Sequence, residues 1–166
     1  MKFRIRRDID RIARQFDELH ALTEAAESRV ERISNWSVGQ HLDHLMKADR
    51  SIFERFPIPS EEPLKPVTTI GRFVLWSGWI PRGKGRAPSA TQPEAPAPDE
   101  LIAQVETVKV LFDDSIVPAE TLLEPQAISK HPVFGGLNRA QWLRFVAVHH
   151  HHHAKIIRDV LRAHPA

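Results

Sequence analysis

Apolar residues recur every three or four positions in four long stretches of this chain, a period that matches one face of an α-helix. The predicted helices run from about residue 5 to about residue 32, from Val38 to Phe56, from Asp99 through Phe112, and from Asn138 to about Ala163. No stretch shows a convincing two-residue alternation, the pattern typical of strands. The expected fold is therefore all-α, a four-helix bundle.

Proline and capping residues divide these helices. The second helix must stop near Pro57 and Pro59, because proline cannot continue a helix. A short additional apolar helix can begin at Thr68 or Thr69 and extend through Trp79.

A Pro-rich segment over residues 81–98 separates the short helix from the third long one. It is predicted to form no regular structure and to lie as a mobile loop over or beside the bundle. The last helix opens with a capping box, in which Gln141 follows Asn138 by three positions. The whole chain, 1–166, is predicted to be a single domain.

The amino-acid composition limits the partners and metal ligands that this chain can have. The chain has 23 Lys and Arg against 21 Asp and Glu, and this small surplus does not indicate nucleic-acid binding. It has no cysteine, so any metal ion must be held by His, Asp or Glu. No long apolar stretch predicts a signal peptide or a membrane span, and a cytoplasmic location without membrane association is expected.

Five consecutive histidines, 149–153, are the compositional oddity. The run is internal and its helix continues in phase beyond it, unlike an affinity tag. His149 and His153 lie about 40° apart around the helix, both in the middle of the apolar stripe, so both are predicted to point into the bundle. His152 lies at the edge of the stripe, and His150 and His151 are predicted to face water.

Two imidazoles four residues apart on an inward face can bind one metal ion, and bundle cores are where such sites are built. A third ligand can come from His41 or His44, which share a face of the second helix. Periodicity slightly favours His41, and His44 lies at the edge of the apolar face. The competing interpretation is that these histidines are hydrogen-bonded core residues.

The chain resembles the DinB superfamily of metal-binding four-helix bundles in two motifs. One is Trp36-Ser37 at the start of the second helix with His44 eight residues after the tryptophan, and the other is the His149–His153 pair. The stretch from His131 to Phe145 is most similar to an uncharacterised DinB-like subfamily. The resemblance implies a tri-histidine metal site on His44, His149 and His153. An Arg-Gly-Gln type of segment, which many relatives have after the second histidine, is replaced here by Ala154-Lys155-Ile156.

Three neutral imidazoles leave a divalent metal ion, most simply zinc or nickel, with open coordination positions, which is the pattern of catalytic sites. The resemblance implies a metal-dependent hydrolase or a thiol-dependent transferase that acts on a small molecule with a thiol cosubstrate. It also makes a homodimer plausible. The alternatives are a non-catalytic metal- or ligand-binding module of a stress response and a structural, dimerising helical bundle.

Other polar residues are weaker candidates. Asp43 and Asp49 share the helix of His44 and could orient a ligand or act as a base, although helix-supporting or solvated carboxylates are the simpler interpretation. His20 and His131 are predicted to be surface or capping residues. The segment from Gly78 to Gly85 matches a phosphate-binding loop except at its last position, and it lacks the strand and helix that such a loop needs.

Overall fold

The computed structural model describes residues 2–56, 60, 63–83, 86–117 and 121–163. Its helices are α1 (Lys2–Ala21), α2 (Val38–Phe53), α3 (Thr69–Ser77), α4 (Pro98–Ser115) and α5 (Arg139–Ala163), with 3-10 turns at Leu22–Ala25, Ser89–Thr91 and Thr121–Leu123. Two short strands, β1 (Ser129–His131) and β2 (Gly135–Leu137), complete the described elements. The helix-ending prolines 57 and 59 and positions 84 and 85 of the rejected phosphate loop lie outside the described residues.

Four helices form the bundle that the apolar pattern predicts. α1 packs mainly on α5, and α2 packs mainly on α4; contacts between α2 and α5 and between α1 and α4 close the ring. Phenylalanines fill its centre, with Phe112 of α4 lying 5.6 Å from Phe16 of α1 and 5.5 Å from Phe53 of α2, measured between ring centroids. The all-α prediction is confirmed, and the short α3 packs on the outside of α5.

The first helix is shorter than predicted. Its regular part ends at Ala21, and a 3-10 turn ends at Ala25. The chain then folds back, and the carbonyls of Ala26 and Ser28 accept hydrogen bonds from the N–H groups of Gly39 and Val38 at the start of α2. A Cβ at Gly39 would lie 3.1 Å from Ala26, so glycine permits this close approach. Tertiary contact therefore replaces the helix that local periodicity favours.

Both helices that carry the histidines begin with reciprocal caps. Ser37 and Gln40 form a capping box at the start of α2. At the start of α5, the Asn138 side chain accepts from the Gln141 N–H at 2.9 Å, and the Gln141 side chain accepts from the Asn138 N–H at 3.0 Å. These caps set where each helix begins and therefore which way each histidine points.

The β1–β2 hairpin is absent from the sequence prediction. Ser129 pairs with Leu137 and His131 with Gly135, so each strand is only three residues long. Such short strands cannot display alternation, and β2 is buried on both sides. Gly135 has a φ of 84°, and a Cβ there would lie 2.4 Å from the Pro66 carbonyl oxygen, so only glycine fits.

The described part of the Pro-rich segment packs against α2 and contains one 3-10 turn, contrary to the prediction of no regular structure. The Asp43 side chain accepts a hydrogen bond from the Glu94 N–H at 2.7 Å, and Lys47 donates to the Gln92 carbonyl and to the Glu94 carboxylate. The segment is thereby fixed beside the helix that carries His44. None of the described helices is long and apolar enough to cross a bilayer.

Candidate metal centre

Three histidines meet where α2 and α5 pack together. One ring nitrogen from each of His44, His149 and His153 lies within 4.8 Å of the other two. The residues are 6%, 8% and 6% exposed, so the cluster is almost closed to solvent. The structure thus brings together the three residues that the sequence singled out. His41 lies outside this set.

The ring orientation of His44 is set by the Pro-rich segment. Its Nδ1 lies 2.7 Å from the Thr91 carbonyl oxygen, which can only accept, so Nδ1 carries the hydrogen. In the neutral ring Nε2 then has a free lone pair. Nε2 lies 3.2 Å from Nε2 of His149, so that lone pair is directed into the cluster.

His149 has unused hydrogen-bonding capacity. Its ring stacks on Phe145 at 5.0 Å between centroids with an interplanar angle of 20°. Nε2 faces His44, and the buried Nδ1 finds no hydrogen-bond partner among the described residues. A buried polar atom without a partner is costly and calls for an explanation, such as a water or an ion. Nδ1 of His150 and Oδ1 of Asp49 also have no partner among the described residues.

His153 is held from its other side. Its Nδ1 lies 2.8 Å from Nδ1 of His41, and His41 contacts Ser34 at 2.9 Å through Nε2. The Trp36 ring lies nearly parallel to the His153 ring, with centroids 6.1 Å apart. His41, predicted as an alternative ligand, therefore contacts a ligand candidate instead of joining the set.

Burial keeps all these imidazoles neutral. It is the main cause that lowers the pKa of His44, and it lowers the pKa values of His149 and His153 well below the ordinary 6.5, with neighbouring histidines adding to the effect. It lowers the pKa of His41 to about 4. Neutral rings have the lone pairs that a metal ion needs.

The prediction that His150 faces water is wrong. His150 is fully buried, and its Nε2 pairs with the equally buried Asp49 carboxylate of α2. The error came from assuming one buried face, whereas α5 packs against α1, α2 and α3. The nearly continuous apolar run over residues 142–148 could have indicated a helix buried on most sides.

The remaining candidates lie around the cluster. Asp43 forms an ion pair with Lys47 and anchors the Pro-rich segment, and Asp49 is occupied by His150, so both carboxylates support the structure. His20 is exposed, as predicted. His131 is partly buried and caps the hairpin turn, one of its two predicted roles, since its Nδ1 accepts from the N–H groups of Val133 and Phe134. Its ring packs on Phe145 at 4.7 Å, and Phe145 in turn stacks on His149. His152 is partly exposed and lies beside the cluster, 5.1 Å from the His153 ring.

Comparison with known proteins identifies the class. The family model of the DinB superfamily matches residues 8–157, and the chain belongs to this superfamily. No curated protein and no solved structure matches the chain. The matched span includes all three histidines of the cluster and the helices that carry them.

Proposed function

We propose that His44, His149 and His153 hold one divalent metal ion and that the protein is a metal-dependent enzyme acting on a small molecule. The observation that carries the proposal is the convergence of three buried, neutral imidazoles whose nitrogens lie within 4.8 Å of one another. An apolar core needs no such group, because burying polar rings without full hydrogen bonding costs stability. The donor set fits a divalent ion of the zinc and nickel type.

The residues present also suit catalysis better than a closed structural site. Among the described residues the set comprises three histidines, with no carboxylate and no fourth histidine in it. A divalent ion held by three neutral ligands keeps its full charge and supplies Lewis-acid chemistry towards water, a thiol or a carbonyl group. The chain contributes the orientation of two of the three rings, through Thr91 for His44 and His41 for His153, and the exclusion of bulk water.

Two reaction classes fit this chemistry, and they are a small-molecule hydrolase and a thiol-dependent transferase with a thiol cosubstrate. They can be separated by spectroscopy on the cobalt-substituted protein with 2-mercaptoethanol as the probe. A sulfur-to-cobalt charge-transfer band that saturates with thiol supports the transferase. A cobalt spectrum unchanged by thiol, together with hydrolysis of an ester or amide panel, supports the hydrolase.

The primary test is metal content by mass spectrometry of untagged protein purified without a nickel column. We expect about one equivalent in the wild type and its loss in a His149→Ala/His153→Ala variant. A His20→Ala/His151→Ala variant is the matched control, because it removes two histidines outside the cluster, and it should keep its metal. If the wild type contains no metal and fails to take up added zinc or nickel, the proposal is wrong.

A further inference from the structure

A chain of hydrogen bonds extends from His153 away from the cluster. His153 contacts His41 between their Nδ1 atoms, and His41 contacts Ser34 through Nε2. His41 is only 2% exposed, yet both of its ring nitrogens are engaged. A buried side chain with both polar atoms engaged has a fixed orientation.

The contacts allow two directions of hydrogen bonding, because each histidine can carry its hydrogen on either nitrogen, and a metal ion on His153 selects one of them. Since Nδ1 of His153 faces His41, Nε2 is the nitrogen that remains for a metal ion. A neutral ring with a lone pair on Nε2 has its hydrogen on Nδ1, so His153 donates to His41. His41 then donates from Nε2 to the Ser34 hydroxyl oxygen.

The far end of the chain is tied to the backbone. The Ser34 hydroxyl oxygen also accepts a hydrogen bond from the Trp36 N–H at 3.0 Å. The Trp36 ring in turn packs on His41 and His153, with centroids 5.3 Å and 6.1 Å away. The segment before α2 therefore supports His153, just as the Pro-rich segment supports His44.

We propose that Ser34 and His41 are positioning residues of the metal centre, which hold His153 as the Nδ1–H tautomer with its Nε2 lone pair directed towards His44 and His149. This inference rests on the metal centre proposed above. Hydrogen bonds to the non-ligating nitrogen of a histidine fix its tautomer and orientation, and losing them typically lowers metal affinity about 10- to 100-fold.

The test compares His41→Phe with His41→Asn. Phenylalanine keeps an aromatic ring against Trp36 but removes both hydrogen bonds. Asparagine offers an acceptor near the position of Nδ1 and is the conservative variant. Ser34→Ala is a milder change that removes only the outer contact. Zinc affinity is measured by competition with a chromophoric chelator, and the His153 tautomer of the apoprotein by nitrogen-15 NMR.

We expect zinc affinity to fall about 10- to 100-fold in His41→Phe, less in Ser34→Ala, and to be partly restored in His41→Asn. The His153 Nδ1–H signature should be present in the wild type and lost or mixed in His41→Phe. Circular dichroism of each apoprotein verifies that the bundle is intact.

Three results would overturn the inference. Equal zinc affinity in a folded His41→Phe variant and the wild type would show that His41 does not serve the centre, while the centre itself stands. X-ray absorption showing four imidazoles in the wild type and three in the variant would make His41 a ligand instead. A wild type that binds no metal would remove this inference together with the proposed function.

Discussion

Two groups of buried polar side chains connect α2 with α5, and they differ in the kinds of side chain that they combine. Asp49 and His150 are both fully buried and pair through Oδ2 and Nε2, while Oδ1 of Asp49 and Nδ1 of His150 have no hydrogen-bond partner among the described residues. His44 of α2 and His149 and His153 of α5 direct nitrogen atoms at one another, and Nδ1 of His149 likewise has no partner among the described residues. The pair joins a carboxylate acceptor to an imidazole donor, whereas the cluster brings three bases together, whose lone pairs need a proton or a metal ion between them.

Removing ligands should have the largest effect. We expect His44→Gln to lower zinc affinity by more than the roughly 10- to 100-fold typical of losing an outer hydrogen bond, because it removes a coordinating nitrogen. Competition with a chelator measures this, with Asp49→Asn as the control that leaves all three imidazoles in place. Unchanged affinity in His44→Gln would exclude His44 from the site.

Metal addition should stabilise the fold only through the cluster. At a free zinc concentration about 1,000 times Kd, we expect about 4 kcal/mol of added stability in the wild type. A chelator should reverse it, and His149→Ala/His153→Ala should show none. Thermal or urea unfolding with and without zinc provides the measurement. Equal stabilisation of both proteins would place the metal elsewhere.

Breaking the Asp49–His150 pair should destabilise the bundle without abolishing metal binding. Asp49→Ala leaves His150 buried without its partner, and we expect a loss of about 3 kcal/mol in the free energy of unfolding. The double variant Asp49→Leu/His150→Phe replaces both partners by apolar groups and should recover much of that loss. Urea denaturation measures the free energy of unfolding of both variants. A double variant as unstable as the single one would contradict the expectation that the loss comes from leaving His150 unpaired.

A smaller, pH-dependent effect is expected at His131. Its Nδ1 accepts hydrogen bonds from the N–H groups of Val133 and Phe134, which requires that nitrogen to be unprotonated. Burial lowers the pKa of His131 from 6.5 to about 4. Between these values the unfolded chain binds a proton that the folded chain does not, so this contribution to stability is lost as pH falls from 6.5 towards 4.

His131→Asn isolates that contribution, because an asparagine oxygen can accept the same two hydrogen bonds without titrating. The slope of unfolding free energy against pH in this window should be shallower in the variant than in the wild type. His41 and His152 add slope of the same sign in both proteins. Identical slopes in His131→Asn and the wild type would show that His131 does not cause this pH dependence.

Features that depend on residues close together in the sequence could be predicted, and features that depend on distant residues could not. Apolar periodicity and local caps placed α2 and α5, and two imidazoles four residues apart on α5 predicted the pair His149 and His153. Choosing His44 over His41 needed the family resemblance, since both share one face of α2. The partnership of Asp49 with His150, 101 positions apart, depends on how two helices meet and has no local signature.

The difference between local patterns and long-range contacts also explains why α1 ends earlier than predicted. Its apolar pattern continues past Leu22, but the backbone hydrogen bonds of Ala26 and Ser28 to the start of α2 redirect the chain. Periodicity reports which residues are buried and not which partner buries them.

The Thr91 carbonyl connects the cluster to the Pro-rich segment through a single hydrogen bond to His44. Thermodynamic linkage makes that connection reciprocal. If docking of the segment raises the affinity of His44 for a ligand by some factor, ligand binding raises the docking equilibrium constant of the segment by the same factor. Ligand binding at the histidines should therefore slow cleavage of the segment between Ala87 and Ala97 by a protease. The cleavage rate reports that binding without any need for a substrate.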